Sequence, residues 1–97
     1  MFGLDKLKQI KKQAEEMKLK LDSKSAWGES HDGSVKVEVN GSKKGLKVDI
    51  NQSALHVKSK EDMDMLVLEA VNCALDAAQK ISENEMKGMM PNIPGLG

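Results

Sequence analysis

A segment in the middle of the chain alternates apolar and charged residues, and it constrains the fold more than any other. It covers residues 33–50 and reads GSVKVEVNGSKKGLKVDI. A period of two puts every apolar residue on one face of an extended strand, and the central Asn-Gly pair is typical of a tight hairpin turn. The segment therefore predicts two antiparallel strands with one apolar face. The predicted inward positions are Val35, Val37, Val39, Leu46, Val48 and Ile50.

The residues before this hairpin show a different period. Between residues 4 and 24, apolar residues recur every three or four positions, which predicts a helix with an apolar stripe along one side. Residues 25–30 include Gly28 and have poor helical propensity, so they predict a short first strand, and Asp32-Gly33 predicts a turn. The stripe of the predicted helix consists of Leu7, Ile10, Ala14, Met17 and Leu21.

A second helix is predicted after the hairpin, with Ser59 as its N-cap and Asp62 at the position of a weak capping box. Its predicted apolar face is broad and rich in alanine, so that it can lie close upon the valine face of the sheet. Cys73 falls on this face, which predicts a small core residue rather than a reactive thiol. The face comprises Met63, Leu66, Val67, Ala70, Cys73, Ala74, Ala77 and Ile81.

Together these elements predict an α+β protomer in the order α-β-β-β-α, with a three-stranded antiparallel sheet. We expect residues 1–87 to form a single domain and residues 88–97, which are rich in Pro, Gly and Met, to form a flexible tail. One helix suffices to cover so small a sheet, which leaves the stripe of the first helix without an apolar partner. A second copy of the chain would cover that stripe, so the sequence predicts a homodimer.

The composition excludes several classes of protein. Of the 97 residues, 31% are charged and 39% are hydrophobic, which is typical of a globular protein, and no apolar run is long enough for a membrane span. One cysteine and two histidines without metal-binding spacing are too few for a metal centre or a thiol-dependent catalytic site. We therefore expect no enzymatic activity, no cofactor, no metal and no small-molecule substrate. The lone cysteine and the lack of a signal-peptide pattern predict a cytoplasmic location.

Six stretches, spread over almost the whole chain, match the pattern of one protein family. They are KQIKKQAEEM (8–17), WGES (27–30), GSVKVEVNG (33–41), VDINQSAL (48–55), EAVNCAL (69–75) and NIPGLG (92–97). In this order and spacing they resemble the small bacterial nucleoid-associated proteins of the YbaB/EbfC family, although Trp27 stands where a small polar residue is more usual. The resemblance implies a homodimer joined through its sheet region, with helices that project like tweezers. It also implies binding to double-stranded DNA in the nucleoid with little sequence preference.

Charge is distributed unevenly along the chain, although the formal net charge is +0. Residues 4–24 hold seven lysines against four acids, a local +3, and residues 59–87 hold three lysines against seven acids, a local −4. All fifteen cations are lysine, so the chain lacks the forked guanidinium of arginine that most often binds guanine. Lysine can still contact phosphates as a point charge. The first DNA-binding candidates are the lysines of the first helix: Lys6, Lys8, Lys11, Lys12, Lys18, Lys20 and Lys24. The second candidates are the hairpin lysines Lys36, Lys43, Lys44 and Lys47.

Both sets of lysines have a second interpretation. Four lysine–acid pairs spaced four residues apart predict that the first helix neutralises itself in solvent, each pair contributing about 0.2–0.5 kcal/mol. The turn lysines Lys43 and Lys44 also suit a role in keeping a turn soluble and an edge strand unpaired. A lysine-rimmed helix equally fits a protein-interaction module that docks on an acidic partner. The four pairs are Lys11–Glu15, Lys12–Glu16, Glu16–Lys20 and Lys18–Asp22.

Overall fold

The computed structural model describes residues 2–89 of the chain. The order of its elements confirms the predicted α-β-β-β-α architecture, and it adds one short helix between the sheet and the last long helix. The elements are α1 (Phe2–Asp22), β1 (Ser25–Glu29), β2 (Val35–Asn40), β3 (Gly45–Ile50), α2 (Gln52–Val57) and α3 (Lys60–Met89).

The three strands form one antiparallel sheet in the order β1-β2-β3. Alternation along β2 works as the sequence predicts, because Val35, Val37 and Val39 are all buried. The charged residues of β2 therefore lie on the opposite face of the sheet. Between residues 2 and 89, no second helix packs on that face as α3 packs on the valine face. The sheet therefore has one covered face and one open face.

Helix α3 covers the sheet over β1 and β2. It touches them along a line of residues four apart, and most of these residues are alanines, which bring the helix backbone close to the strands. Gly28 in β1 lies at the closest point, beneath the backbone of Ala70 and Ala74. The helix begins as predicted, since the Ser59 hydroxyl accepts a 3.1 Å hydrogen bond from the backbone N–H of Asp62. The buried line is Leu66, Ala70, Ala74 and Ala78.

Strand β3 differs from the prediction in what covers it. Val48 pairs with the buried Val37 and therefore points to the covered face, but 58% of it is exposed. Leu46 is also half exposed, and a register shift between Glu38 and Val39 sets it out of the ladder. The cause is the position of α3, which packs on β1 and β2 and leaves most of the edge strand β3 uncovered, although Ile50 at its end is half-buried against the core.

The prediction that Cys73 is a core residue is wrong, because the Cys73 side chain is exposed. The real contact is shifted around the helix from the predicted arc, because Val71 and Ala78, which the arc did not include, pack on the core. This shift leaves Cys73, at the opposite edge of the predicted arc, outside the contact and exposed.

The short helix α2 has no counterpart in the prediction, since six residues are too few to show a helical period. A local cap defines it: the Asn51 side-chain oxygen accepts hydrogen bonds from the N–H of Ser53 at 2.9 Å and from its hydroxyl at 2.6 Å. At the other end, the N–H of Lys58 donates to the Ala54 carbonyl. Helix α2 thus turns the chain from β3 into α3.

The predicted tail, residues 88–97, begins within α3, because Gly88 and Met89 continue that helix. Residues 90–97 lie outside the described residues, so the tail and the predicted domain limits stay predictions. None of the helices between residues 2 and 89 combines the length and the apolar character that crossing a membrane requires.

Candidate nucleic-acid interface

The lysines of α1 lie on an exposed helix and have few partners. All six, from Lys6 to Lys20, are exposed. Among the ion pairs of residues 2–89, none joins one of these six lysines to a carboxylate within 4.0 Å. The four self-neutralising pairs that the spacing suggested are therefore not formed. The seventh lysine differs: Lys24, just after the helix, places its Nζ 3.1 Å from Oε1 of Glu85.

The apolar stripe between these lysines is only partly covered. Its C-terminal end is sheltered, since Met17 and Leu21 are half-buried. Its N-terminal end is open, with Leu7 and Ile10 exposed by 63% and 61%. Helix α1 makes few contacts with α3, so its first half projects from the body of the protein. The projecting part presents apolar side chains flanked by cations.

The turn between β2 and β3 is attached to the end of α1. The N–H of Gly41 donates to the carbonyl of Leu21 at 2.8 Å and to that of Lys24 at 3.0 Å. The Ser42 hydroxyl donates to Oδ1 of Asp22 at 2.5 Å. Gly41 is needed here, since a Cβ would meet the Leu21 carbonyl oxygen at 2.8 Å. These bonds fix the position of the turn relative to the helix.

The Asn40 side chain organises the same turn from within. Its Oδ1 accepts hydrogen bonds from the N–H of Ser42 at 3.0 Å and of Lys44 at 2.9 Å. The chain passes between them through Lys43, whose φ of 66° lies in the left-handed region. This region is uncommon for any residue other than glycine, asparagine or aspartate. The turn therefore holds a lysine in a backbone conformation that lysine disfavours.

A groove of about 370 Å³ separates α1 from this turn and from α3. Lys18 lines it from the helix and Lys43 lines it from the turn, so the structure brings together one member of each predicted lysine set. Gln79 and Ser82 of α3 complete the polar part of the lining. Sequence reasoning missed these two residues, and no local pattern could have found them, because they lie almost forty residues from the turn.

The other hairpin lysines, Lys36 and Lys47, stand on the open face of the sheet among carboxylates. Lys36 lies between Glu29 and Asp49 in the strand register, and its Nζ is 3.7 Å from Oε1 of Glu29. Lys47 pairs with Glu38. The second predicted set is thus divided between two surfaces: Lys43 and Lys44 belong to the turn beside α1, and Lys36 and Lys47 belong to a face of mixed charge.

Trp27 is the aromatic residue of this open face. It pairs with Glu38, and half of its surface is exposed. Its immediate row therefore runs Trp27, Glu38, Lys47, and the next row runs Glu29, Lys36, Asp49. With three carboxylates against two lysines, this face repels phosphate more than it attracts it.

Among the described residues, Asp32 is the carboxylate with the most strongly shifted pKa, and its role is structural. Asp32 accepts bonds from the N–H and hydroxyl of Ser34 and from the hydroxyl of Ser30, and these bonds hold its pKa well below the usual range. Lys58 Nζ lies 3.1 Å from it. A carboxylate that stays ionised in this way is a poor general base near neutral pH. Residues 2–89 also contain no group of three His, Cys, Asp or Glu side chains placed to hold a metal ion.

Comparisons with known proteins agree with the fold. The crystal structure of an uncharacterized protein from Helicobacter pylori superimposes with a TM-score of 0.69 and 25% identity, covering 87% of this chain and 98% of that one. A nucleoid-associated protein of Chlorobium phaeobacteroides is 38% identical over 88 residues, which cover 84% of this chain and 75% of the relative. A nucleoid-associated protein of Caldanaerobacter subterraneus is 34% identical, covering 91% of this chain and 81% of the relative.

A family model also matches nearly the whole length of this chain. The model of the YbaB/EbfC DNA-binding family matches residues 2–93, a range that includes all six elements and both lysine sets. This chain therefore belongs to the YbaB/EbfC DNA-binding family.

Proposed function

We propose that this chain is a non-enzymatic, nucleoid-associated protein of the cytoplasm that binds double-stranded DNA through lysines of α1. Membership of a DNA-binding family supports the choice of ligand. The observation that carries the choice of surface is that the six α1 lysines are exposed and, within residues 2–89, have no carboxylate partner. Because these lysines are unpaired and lie on a projecting helix, the phosphates of DNA can reach them.

Binding through these residues should have little sequence preference. Phosphate contacts position a protein on the duplex, whereas contacts with base edges specify the sequence. Lysine is a flexible point charge, and the chain contains no arginine that could read guanine with a forked pair of hydrogen bonds. The proposed interface therefore recognises the charge of the backbone and not the order of the bases.

A salt titration of DNA binding tests this proposal. If all six α1 lysines neutralise phosphates, the affinity for a duplex should fall about 10³-fold between about 50 and 200 mM salt, because log K changes by about −0.9 per contact for each unit of log salt. Two unrelated duplexes of equal length should give the same curve in fluorescence anisotropy. Lack of measurable binding at the lower salt concentration would remove DNA as the ligand.

The second candidate function is a protein-interaction module. The exposed Leu7 and Ile10, flanked by lysines, favour it, because an acidic partner with an apolar stripe would complement that surface. Such a module would bind its protein partner at salt concentrations at which it does not bind duplex DNA. The DNA titration therefore separates the two functions.

We also propose that the protein acts as a homodimer. Two apolar surfaces support this: the projecting part of α1, and β3 with Leu46 and Val48 at least half exposed. Exposed apolar patches of this kind are unusual on monomers and typical of interfaces. Light scattering of the 10.6 kDa chain at micromolar concentration should give about twice that mass. A stable mass of one chain over the concentration range would contradict the dimer.

A further inference from the structure

We propose that the groove between α1 and the β2–β3 turn is a seat for one phosphodiester of the DNA backbone, held by Lys18 from one side and Lys43 from the other. This inference rests on the proposed function and refines it. Of the two interpretations of Lys43, DNA contact and turn solubility, it chooses DNA contact, and it assigns that contact to a defined site shared with Lys18.

The charges around the groove support an anionic ligand. Of the described residues that line it, two are lysines and none is a carboxylate. Two smaller pockets mix charges instead: one combines Lys36 with Asp49, and the other combines His31 and Lys58 with two acids. Three acids close in the chain to lining residues are already engaged. Asp22 accepts a hydrogen bond from the Ser42 hydroxyl, Glu83 accepts one from the Gln79 amide, and Glu85 pairs with Lys24.

The rest of the lining suits a sugar–phosphate backbone. Ala14, Met17 and Leu21 form the apolar part of the lining, and Ser82 supplies a hydroxyl group. The Ser42 hydroxyl and the Gln79 amide also line the groove, and they already donate to Asp22 and Glu83. A backbone unit has the same two parts, an apolar deoxyribose and a charged phosphate that accepts hydrogen bonds. The groove is open along one side and is therefore accessible to a strand that passes over it.

The conformation of the turn supports a specific role for Lys43. Its φ of 66° costs folding free energy that glycine or asparagine would avoid. A lysine that only kept the turn soluble could stand at Ser42 or at either side of the turn without this strain. The bonds from Gly41 and Ser42 to the end of α1 also fix the turn, so Lys43 is held at a constant place opposite Lys18.

Two substitutions separate the charge of Lys43 from its backbone strain. Lys43→Asn removes the charge and suits the left-handed conformation, whereas Lys43→Gln removes the charge and keeps the strain. The set is completed by Lys18→Gln, by Lys18→Gln combined with Lys43→Asn, and by the control Lys47→Gln on the open sheet face. Each variant is measured by anisotropy on a labelled duplex over a salt series, and by thermal unfolding.

We expect both Lys43 variants to weaken binding equally, while Lys43→Asn unfolds at the same or a higher temperature than Lys43→Gln. Loss of one phosphate contact should lower the slope by about 0.9, or the affinity about eightfold at about 0.1 M salt if the curves meet near 1 M. Because Lys18 and Lys43 share one phosphate, the double variant should lose less than the product of the two single losses. Lys47→Gln should bind like the unaltered protein.

Each other outcome overturns a defined part of the inference. Unchanged binding by both Lys43 variants, with weaker binding by Lys18→Gln, removes the turn from the interface and leaves the proposed function intact. Losses that multiply show two separate phosphates and no shared seat. An equal loss in Lys47→Gln shows a general charge effect without a site. If the unaltered protein does not bind the duplex, the proposed function itself fails.

Discussion

Replacing Gly28 by alanine is expected to unfold the protein or to destabilise it by more than about 3 kcal/mol. A Cβ at this position would stand 2.8 Å from the Cα of Ala74 and still closer to the Ala74 nitrogen and the Ala70 carbonyl oxygen. All three are backbone atoms of α3, so no side-chain rotation can relieve the clash. The helix would have to move away from β1, and the contact that buries Val37 and the alanine line would open. Chemical denaturation followed by circular dichroism measures the change.

Gly45→Ala is the matched control, because a Cβ there meets nothing within 4 Å. Both substitutions add one methyl group to a strand and remove the same backbone freedom from the unfolded chain. We expect the control to unfold within about 1 kcal/mol of the unaltered protein. If Gly28→Ala were as stable as the control, α3 would not lie on β1 as closely as the structure has it.

The parts of the fold that rest on periodicity could be predicted from the sequence. Val35, Val37 and Val39 alternate with charge, and alternation fixes both the strand and the face that is buried. Helix α1 follows in the same way from its spacing of three and four. These patterns are local, and each element reports its own apolar face.

The parts that depend on where one element lies on another could not be predicted. Val48 has the correct periodicity and faces the same side as Val37, yet it is exposed. The reason is that α3 packs over β1 and β2 and not over β3, and tertiary packing of this kind has no local pattern. Cys73 was misplaced for the same reason. The apolar spacing of α3 could not indicate how the helix is rotated on the sheet, which places Val71 and Ala78 in the contact and leaves Cys73 outside it.

The candidate site shows the same division between local and tertiary information. The abundance of lysine in α1 is visible in the sequence, but the pairing of those lysines is not. Spacing suggested four ion pairs, such as Lys18 with Asp22, whereas Asp22 accepts the Ser42 hydroxyl from the distant turn. The attachment of that turn to α1 also brings Lys43 close to Lys18, a proximity that no local pattern shows because twenty-four residues separate the two in the sequence.

Changing Lys6, Lys11, Lys18 and Lys20 together to glutamine is expected to weaken duplex binding about 10³-fold or more at about 0.1 M salt. The slope of log K against log salt should shrink by about 0.9 for each of the four that contacts a phosphate, and by twice that total if both helices of a dimer engage the duplex. Glutamine keeps the helix propensity and approximate length of lysine. All four side chains are exposed and, within residues 2–89, have no ion pair to lose, so the variant should stay folded.

A control with the same change in net charge excludes a general electrostatic effect. Lys36, Lys47, Lys60 and Lys80 are also exposed, and changing these four to glutamine removes the same charge from the sheet face and from α3. Two of them already have acidic partners, Glu29 for Lys36 and Asp64 for Lys60. We expect this variant to keep most of the salt dependence of the unaltered protein. Equal slopes in the two variants would mean that DNA responds only to net charge, and an unchanged slope in the α1 variant would favour the acidic protein partner, since the projecting lysines would then have no contact with phosphate.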